Sequence, residues 1–262
     1  MRRLSIILPY YKRIAAFAEA LAVNSPYFRS QPDLDLEVVL VLDEPTEEAA
    51  ALRLVGSHAE IGWRVLINRR DHPWRNPARA INVGLRHARG EMALIISPES
   101  LLVTNVPDIL SRLVAEADGC FTLGRICFMS RQTIAEKGLR RAYEEGEPKR
   151  YYGSMCAPLA ALTEIRGYDE ANGAWGGDDD NVRLRLIMSG LNMKYVPSAK
   201  ALHPLEAGEL VPRLKGLVRD RRELQAAMRP PSAVANQADW GRDFDEIIYE
   251  SAARRAGPSV AD

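Results

Sequence analysis

The chain has 262 residues, 47% of them hydrophobic, enough for a substantial core and against disorder as the default. Lysine plus arginine and aspartate plus glutamate balance at 35 each, so bulk charge gives no argument for nucleic acid as a partner. The odd set Cys120, Cys127 and Cys156, without Cys-x-x-Cys spacing, suggests neither a disulfide framework nor a zinc site and fits free thiols in a reducing cytoplasm.

No apolar run approaches the ~20 residues that span a bilayer. The opening "MRRLSIILPYYKR" is too short in its apolar part for a signal peptide and reads as an immediate first strand. Leu4 to Leu8 is that strand, ended by Pro9, and Ile14 to Val23 is helical. Leu36 to Leu42 is a second buried strand running into Asp43-Glu44-Pro45. Thr46 is placed to cap the next helix, with Glu47 and Glu48 in its first turn. Trp63 to Ile67 is a third strand, and Asn76 to Arg89 is a helix with Pro77 near its start and Gly90 at its stop. Met92 to Ile96 is a fourth strand, ending at Ser97-Pro98-Glu99. Strands that are apolar throughout and alternate with helices predict a parallel sheet covered on both faces. The loops after Leu8, Leu42 and Ile96 then share one sheet edge, where open α/β sheets bind ligands.

The second half is less regular. Pro107 to Ala117 reads as a helix, and Cys120 to Met129 as a strand pair or one long strand. Arg131 to Arg150 reads as a charged helix and a loop, Asp178 to Met188 as a short helix, and Met193 to Val196 and Lys200 to Leu202 as short strands. Two charged helices flanking "RPPS" are expected after Glu206.

The strongest local signal is "GAWGGDDDNVRLRL", Gly173 to Leu186. One acid at a helix start is ordinary capping. Asp178, Asp179 and Asp180 in a row repel one another and exceed what capping needs. Their contiguity does not match a calcium loop, which spaces its acids at alternate positions. An aromatic ring beside carboxylates suits a sugar, the ring covering a pyranose face and the acids accepting hydroxyl hydrogen bonds.

These segments resemble glycosyltransferase family 2, inverting nucleotide-sugar transferases of the GT-A fold. "SIILPYYKR" is similar to the family's first strand and nucleotide loop, and "EVVLVLDEPTEE" to the second strand. "NPARAINVGLRHARGEMALIISPES" is similar to the helix and strand that lead to its Asp-x-Asp motif. "GSMCAPLAALTEIRGYDEANGAWGGDDDNVRLR" is similar to its acceptor block, with a galactosyltransferase-type Trp-Gly-Gly-acid cluster, and "KALHP" to its metal-binding histidine segment. The resemblance implies an α/β fold: a GT-A type, Rossmann-like, mostly parallel central sheet with helices on both faces, plus C-terminal helices. It implies a transferase domain over residues 1–205, with a nucleotide-binding half, 1–100, and an acceptor-binding half, 101–205. A C-terminal helical extension, 206–262, follows.

Carried over by position, the resemblance puts Pro9 and Tyr10 against the nucleoside, Asp43 on the base, and Arg79 near the base or diphosphate. Ser97 and Glu99 take the two acidic positions of the metal motif, and His203 is a metal or phosphate contact. Trp175 stacks on a sugar, Asp179 is the general base, and Asp178 and Asp180 hold the acceptor. The implied reaction moves a sugar, with a UDP-sugar as the expected donor, to a hydroxyl of a glycan or small acceptor. Ser-Pro-Glu where the family has Asp-x-Asp implies that Mg²⁺ or Mn²⁺ is held weakly or is dispensable. Lys12, Arg13, Arg69, Arg70 and Arg75 are then candidate replacements for its charge, against a plain solvated-surface reading. Tyr151 and Tyr152 line the acceptor side or pack in the core. The expected location is cytoplasmic. Residues beyond Glu206 dock on the core, self-associate, or touch a membrane surface. A nucleotide-binding protein without turnover and a sugar-nucleotide nucleotidyltransferase stand as the alternatives. The missing glycine in "LPYYKR" counts against the second.

Overall fold

A computed structural model describes residues 1–146, 148–149, 154–205 and 221–251. Tyr151 and Tyr152 lie outside the described residues. The first half alternates strand and helix in chain order: β1 (Arg2–Tyr10), α1 (Ile14–Asn24), β2 (Leu34–Leu42), α2 (Glu48–Gly56), β3 (Trp63–Ile67), α3 (Ala78–His87) and β4 (Met92–Ile95). These four strands are parallel, in the order β3-β2-β1-β4. Then come β5 (Leu101–Leu102), α4 (Val106–Glu116), β6 (Cys120–Ser130), α5 (Arg131–Lys137), α6 (Leu139–Glu145), β7 (Pro148–Lys149), β8 (Met155–Pro158), α7 (Leu159–Glu164), α8 (Asp178–Met188) and β9 (Asn192–Leu205). The sheet continues from β4 through antiparallel β8 to β6, with β9 parallel to β6 and β5 at the edge, while β7 pairs with β6. The second half is therefore mixed in direction, because β8 reverses the sheet beside β4.

Both faces of the sheet are covered. Leu4, Ile6 and Leu8 of β1 pack with Phe17 and Leu21 of α1, Val55 of α2 and Leu110 of α4. Ile7 faces the other way, in a cluster with Val83 of α3, Leu162 of α7 and Val182 and Leu186 of α8. This two-sided burial is why the strands read as continuous apolar runs rather than alternating ones.

Pro9 does not end β1, which runs on to Tyr10. Odd residues of β1 turn their backbone toward β4, as Ile7 does in accepting from the Ile96 N–H. Beside Pro9 β4 has already ended, so the missing N–H of proline removes no ladder bond. Thr46 is not the cap of α2. Its N–H and hydroxyl both donate to Glu44, and Glu47 takes the N-cap position. Gly90 follows α3 without left-handed backbone. A Cβ there would lie 2.6 Å from the Ser5 N and 2.8 Å from the Met92 O, so it is small because β1 passes against it. The charged segment after Ser130 is two short helices split at Gly138 (φ 76°).

Beyond Arg221 the chain departs from the expected pair of helices. One helix, α9 (Arg221–Ala227), is followed by irregular chain and a strand, β10 (Glu246–Glu250), which pairs antiparallel with β3. Trp240 is buried among the α3 and α7 residues, and the Arg86 guanidinium lies 4.4 Å from its ring centroid. Among the described residues no helix is long and apolar enough to cross a membrane. All three cysteines are free and buried.

Candidate active site

At the end of β2 Asp43 is nearly buried, its side chain 5% exposed. Arg75 grips it with two hydrogen bonds, Nε to Oδ2 at 2.9 Å and a terminal nitrogen to Oδ1 at 2.6 Å. Asn68 donates to the same Oδ1 at 3.1 Å, and His72 Nε2 stands 3.5 Å away. The Arg75 terminal nitrogen also donates to Asp243 at 2.7 Å, and Arg79 reaches Asp243 at 3.4 Å. Arg75 is held strongly protonated: hydrogen bonds and charge from Asp43 and Asp243 outweigh its partial burial. Tyr10 departs from the position expected of it. Its ring packs on Phe17 in the core and its hydroxyl donates to Glu47 while accepting from the Arg13 N–H. Tyr11 is the residue that turns outward, stacking on His72 at 5.7 Å between centroids.

At the end of β4 a turn closes from Ser100 N–H to the Ser97 carbonyl, and buried Asn24 pins the strand that follows through Ser100 and Leu102. Glu99 is 8% exposed. The Arg13 guanidinium bonds its Oε1 at 3.0 Å, and His203 Nε2 lies 3.7 Å from the same oxygen. Residues remote in sequence thus converge on the one acid of the Ser-Pro-Glu turn. Among the described residues no group of three or more His, Cys, Asp or Glu side chains is arranged to hold a metal ion. Glu99 and His203 fit two positions of an oxygen-and-imidazole shell, which the phosphates of a nucleotide would have to complete.

The acid cluster opens α8. Gly176 and Gly177 precede it, both left-handed, at φ 90° and 85°. Trp175 beside them is 51% exposed. Helix α9 lies against the two glycines: a Cβ on Gly177 would stand 3.2 Å from the Ala227 Cβ. Asp180 is tied to Arg183 at 2.5 Å. Asp179 keeps some open surface yet sits deep among protein atoms. Burial, then Asp178 and Asp180, push its carboxyl well above the usual aspartate range, and Arg183 opposes them.

The turn before the cluster is fastened by residues that the sequence reading did not single out. Asn82 of α3 donates to the Tyr168 carbonyl at 2.8 Å and accepts from its N–H at 2.7 Å. Arg185 is fully buried and donates to Asn181, to the Ile165 carbonyl and to the Gly167 carbonyl, at 2.8, 3.0 and 2.5 Å. Burial pushes its pKa down to about 10. Asn236 donates to the carbonyls of Arg166 and Tyr168. The available signal was an asparagine in an apolar helix face and an arginine inside "VRLRL", polar groups that must find partners when buried.

The glycosyl transferase family 2 model matches residues 5–98, and the model for the N-terminal domain of galactosyltransferase matches residues 146–206. Over these two stretches the chain is similar to family 2 glycosyltransferases and to a galactosyltransferase domain, and its fold is of the GT-A type. Among solved structures, the mannosyltransferase PcManGT from Pyrobaculum calidifontis, in complex with GDP-Man and Mn²⁺, is 20% identical. Its TM-score is 0.54, over 79% of this chain and 58% of that one. GalNAc-T7 with UDP, GalNAc and Mn²⁺ is 14% identical at TM-score 0.60, over 79% and 44%. S. aureus TarS 1-349 in complex with UDP-GlcNAc is 15% identical at TM-score 0.60, over 87% and 64%. The chain thus spans less than two thirds of each of these proteins. No curated protein sequence matches it. The first match holds Asp43, Arg79 and Ser97, and the second holds the acid cluster and His203. Glu99 and Asp243 fall outside both.

Proposed function

We propose that the enzyme is an inverting transferase that moves a sugar from a nucleotide donor, a UDP-sugar, to a hydroxyl of a glycan or small acceptor. The observation that carries the reading is Asp179: a carboxyl with a raised pKa, at a helix start beside the exposed ring of Trp175. A base needs a pKa near the working pH to take a proton from an attacking hydroxyl, and an ordinary aspartate is too weak. Asp179 takes that proton as the hydroxyl oxygen bonds to the anomeric carbon. The bond from that carbon to the donor's phosphate oxygen breaks on the opposite face. Asp178 and Asp180 hold the acceptor, and Trp175 covers a sugar face.

The nucleotide lies along the edge formed by Pro9, Asp43, Arg79 and Ser97. The leaving diphosphate gathers negative charge that must be met by cationic groups. Glu99 and His203 would hold a divalent cation there, and that ion supplies charge neutralisation at the phosphates. The Arg13 guanidinium, bonded to the same Glu99 oxygen, brings positive charge from the protein itself, which supports weak metal dependence.

Thermal stabilisation by UDP, GDP and dTDP, each with and without Mn²⁺, tests the donor reading, since a ligand of the native state raises its stability by mass action. UDP is expected to stabilise most, and to do so partly without metal. Failure of all three nucleotides would overturn the nucleotide-site reading.

A further inference from the structure

Arg75 stands between two carboxylates. Its one terminal nitrogen donates to Asp43 at 2.6 Å and to Asp243 at 2.7 Å. Asp243 comes from the C-terminal segment, outside both family matches. Its backbone is anchored on both sides. On one side Gly241 donates to Glu170 and its left-handed turn (φ 67°) lies against the Asn82 carbonyl, where a Cβ would come within 2.6 Å. On the other, β10 is paired along β3, and Glu246 is bonded to Arg69 at 2.9 and 2.6 Å.

A carboxylate has about four lone-pair sites. Asp43 already accepts three N–H bonds, two from Arg75 and one from Asn68. A nucleobase N–H that needs Asp43 must take the last site or displace Arg75. Displacing a partly buried guanidinium from its only carboxylate would be costly, because charged groups lose most when left unpaired in a desolvated place. Asp243 removes that cost by keeping a second charged acceptor within reach of the same nitrogen.

We propose that Asp243 is a positioning residue of the nucleotide site. It retains Arg75 when the base arrives, so that Asp43 can pass from the guanidinium to the base. The inference rests on the reading of the β2 edge as the nucleotide site, and it makes the C-terminal segment part of the working transferase rather than an appendage.

The test is a double-mutant cycle on the full chain, with UDP binding measured by titration calorimetry at fixed salt. Asp243→Asn is expected to raise the UDP Kd about tenfold, raising the donor KM in step while leaving kcat nearly unchanged. In an Arg75→Gln background the same change is expected to have almost no further effect, because both act through one contact. A merely structural Asp243 would weaken binding by the same factor in either background, and that result overturns the proposal. So does an unchanged Kd in Asp243→Asn. Should Asp243→Asn fail to fold, Arg75→Lys reads the same contact. It keeps the charge but loses the two-nitrogen fork that grips Asp43 while reaching Asp243, so an unchanged Kd there is equally fatal. Wild-type protein that binds no nucleotide would instead sink the site reading itself.

Discussion

Asp179→Asn should cripple the enzyme and stabilise the protein. Three consecutive carboxylates begin α8 behind a glycine N-cap that offers no side-chain cap. Burial and the two neighbouring charges hold the Asp179 carboxyl above its ordinary range. Its unfolded value is about 3.9, so between there and its folded value the native state binds the extra proton. Stability is therefore fully present near pH 4 and declines as pH rises through the folded pKa, by about 1.4 kcal/mol for each unit of difference. Asparagine carries no charge at any of these pH values and escapes the decline. It gives up a favourable charge–dipole contact of about 0.3–1 kcal/mol at the helix start. A net gain in stability at pH 7.5 is expected, read as a rise in Tm. The gain should shrink toward zero as melts are repeated down to pH 4. Under the general-base role, turnover should fall about 10²–10⁴-fold while UDP binding is unchanged. Wild-type kcat should itself fall as pH drops through the raised pKa. A variant that is less stable at pH 7.5, by an amount that does not vary with pH, would refute the electrostatic argument. Retained turnover would refute the base assignment.

Three further outcomes are expected. Arg185→Met leaves the Ile165 and Gly167 carbonyls and the Asn181 side chain without their buried donor. It should cost about 2–4 kcal/mol, read as a lower urea midpoint at unchanged m-value. Gly90→Ala forces a methyl group against the β1 backbone, which cannot move aside as a flexible side chain would. A loss of about 1–3 kcal/mol is expected, with no change in nucleotide affinity. Arg13→Ala should make stabilisation by UDP more dependent on Mn²⁺, because it leaves Glu99 and His203 to recruit the charge alone. Equal Mn²⁺ dependence in variant and wild type would show that Arg13 does not share that task.

The parallel half of the fold was legible because its strands are buried on both faces. That burial writes uninterrupted apolar runs, and β3 and α8 fall where the sequence puts them, at Trp63–Ile67 and Asp178–Met188. The reading weakened where the sheet changes direction. Strand β8 has only four residues, and its "MCAP" gives no period to count. Strand β10 reads as part of a charged helix because glutamates flank its apolar centre. Those acids face Arg69 and Arg64 across the pairing with β3, a partner almost two hundred residues away. Propensity over a short window cannot register a tertiary contact of that separation.

The site was legible one strand end at a time, and its connections were not. Each of Asp43, Glu99 and the Asp178–Asp180 cluster stands out as an acid after an apolar run or a glycine turn. What each acid can do depends on cations that come from elsewhere in the chain. Arg13 reaches Glu99 from the loop after β1, His203 approaches it from β9, and Arg75 couples Asp43 to Asp243 beyond both family matches. Under the proposed nucleotide site, an edge with Ser97 in place of an acid would need less positive charge to bind a diphosphate. A guanidinium already seated on the remaining acid is in proportion to that need. Ser97 and the position of Arg13 therefore leave one acid of the turn after β4 facing a guanidinium from the loop after β1 and the imidazole of β9.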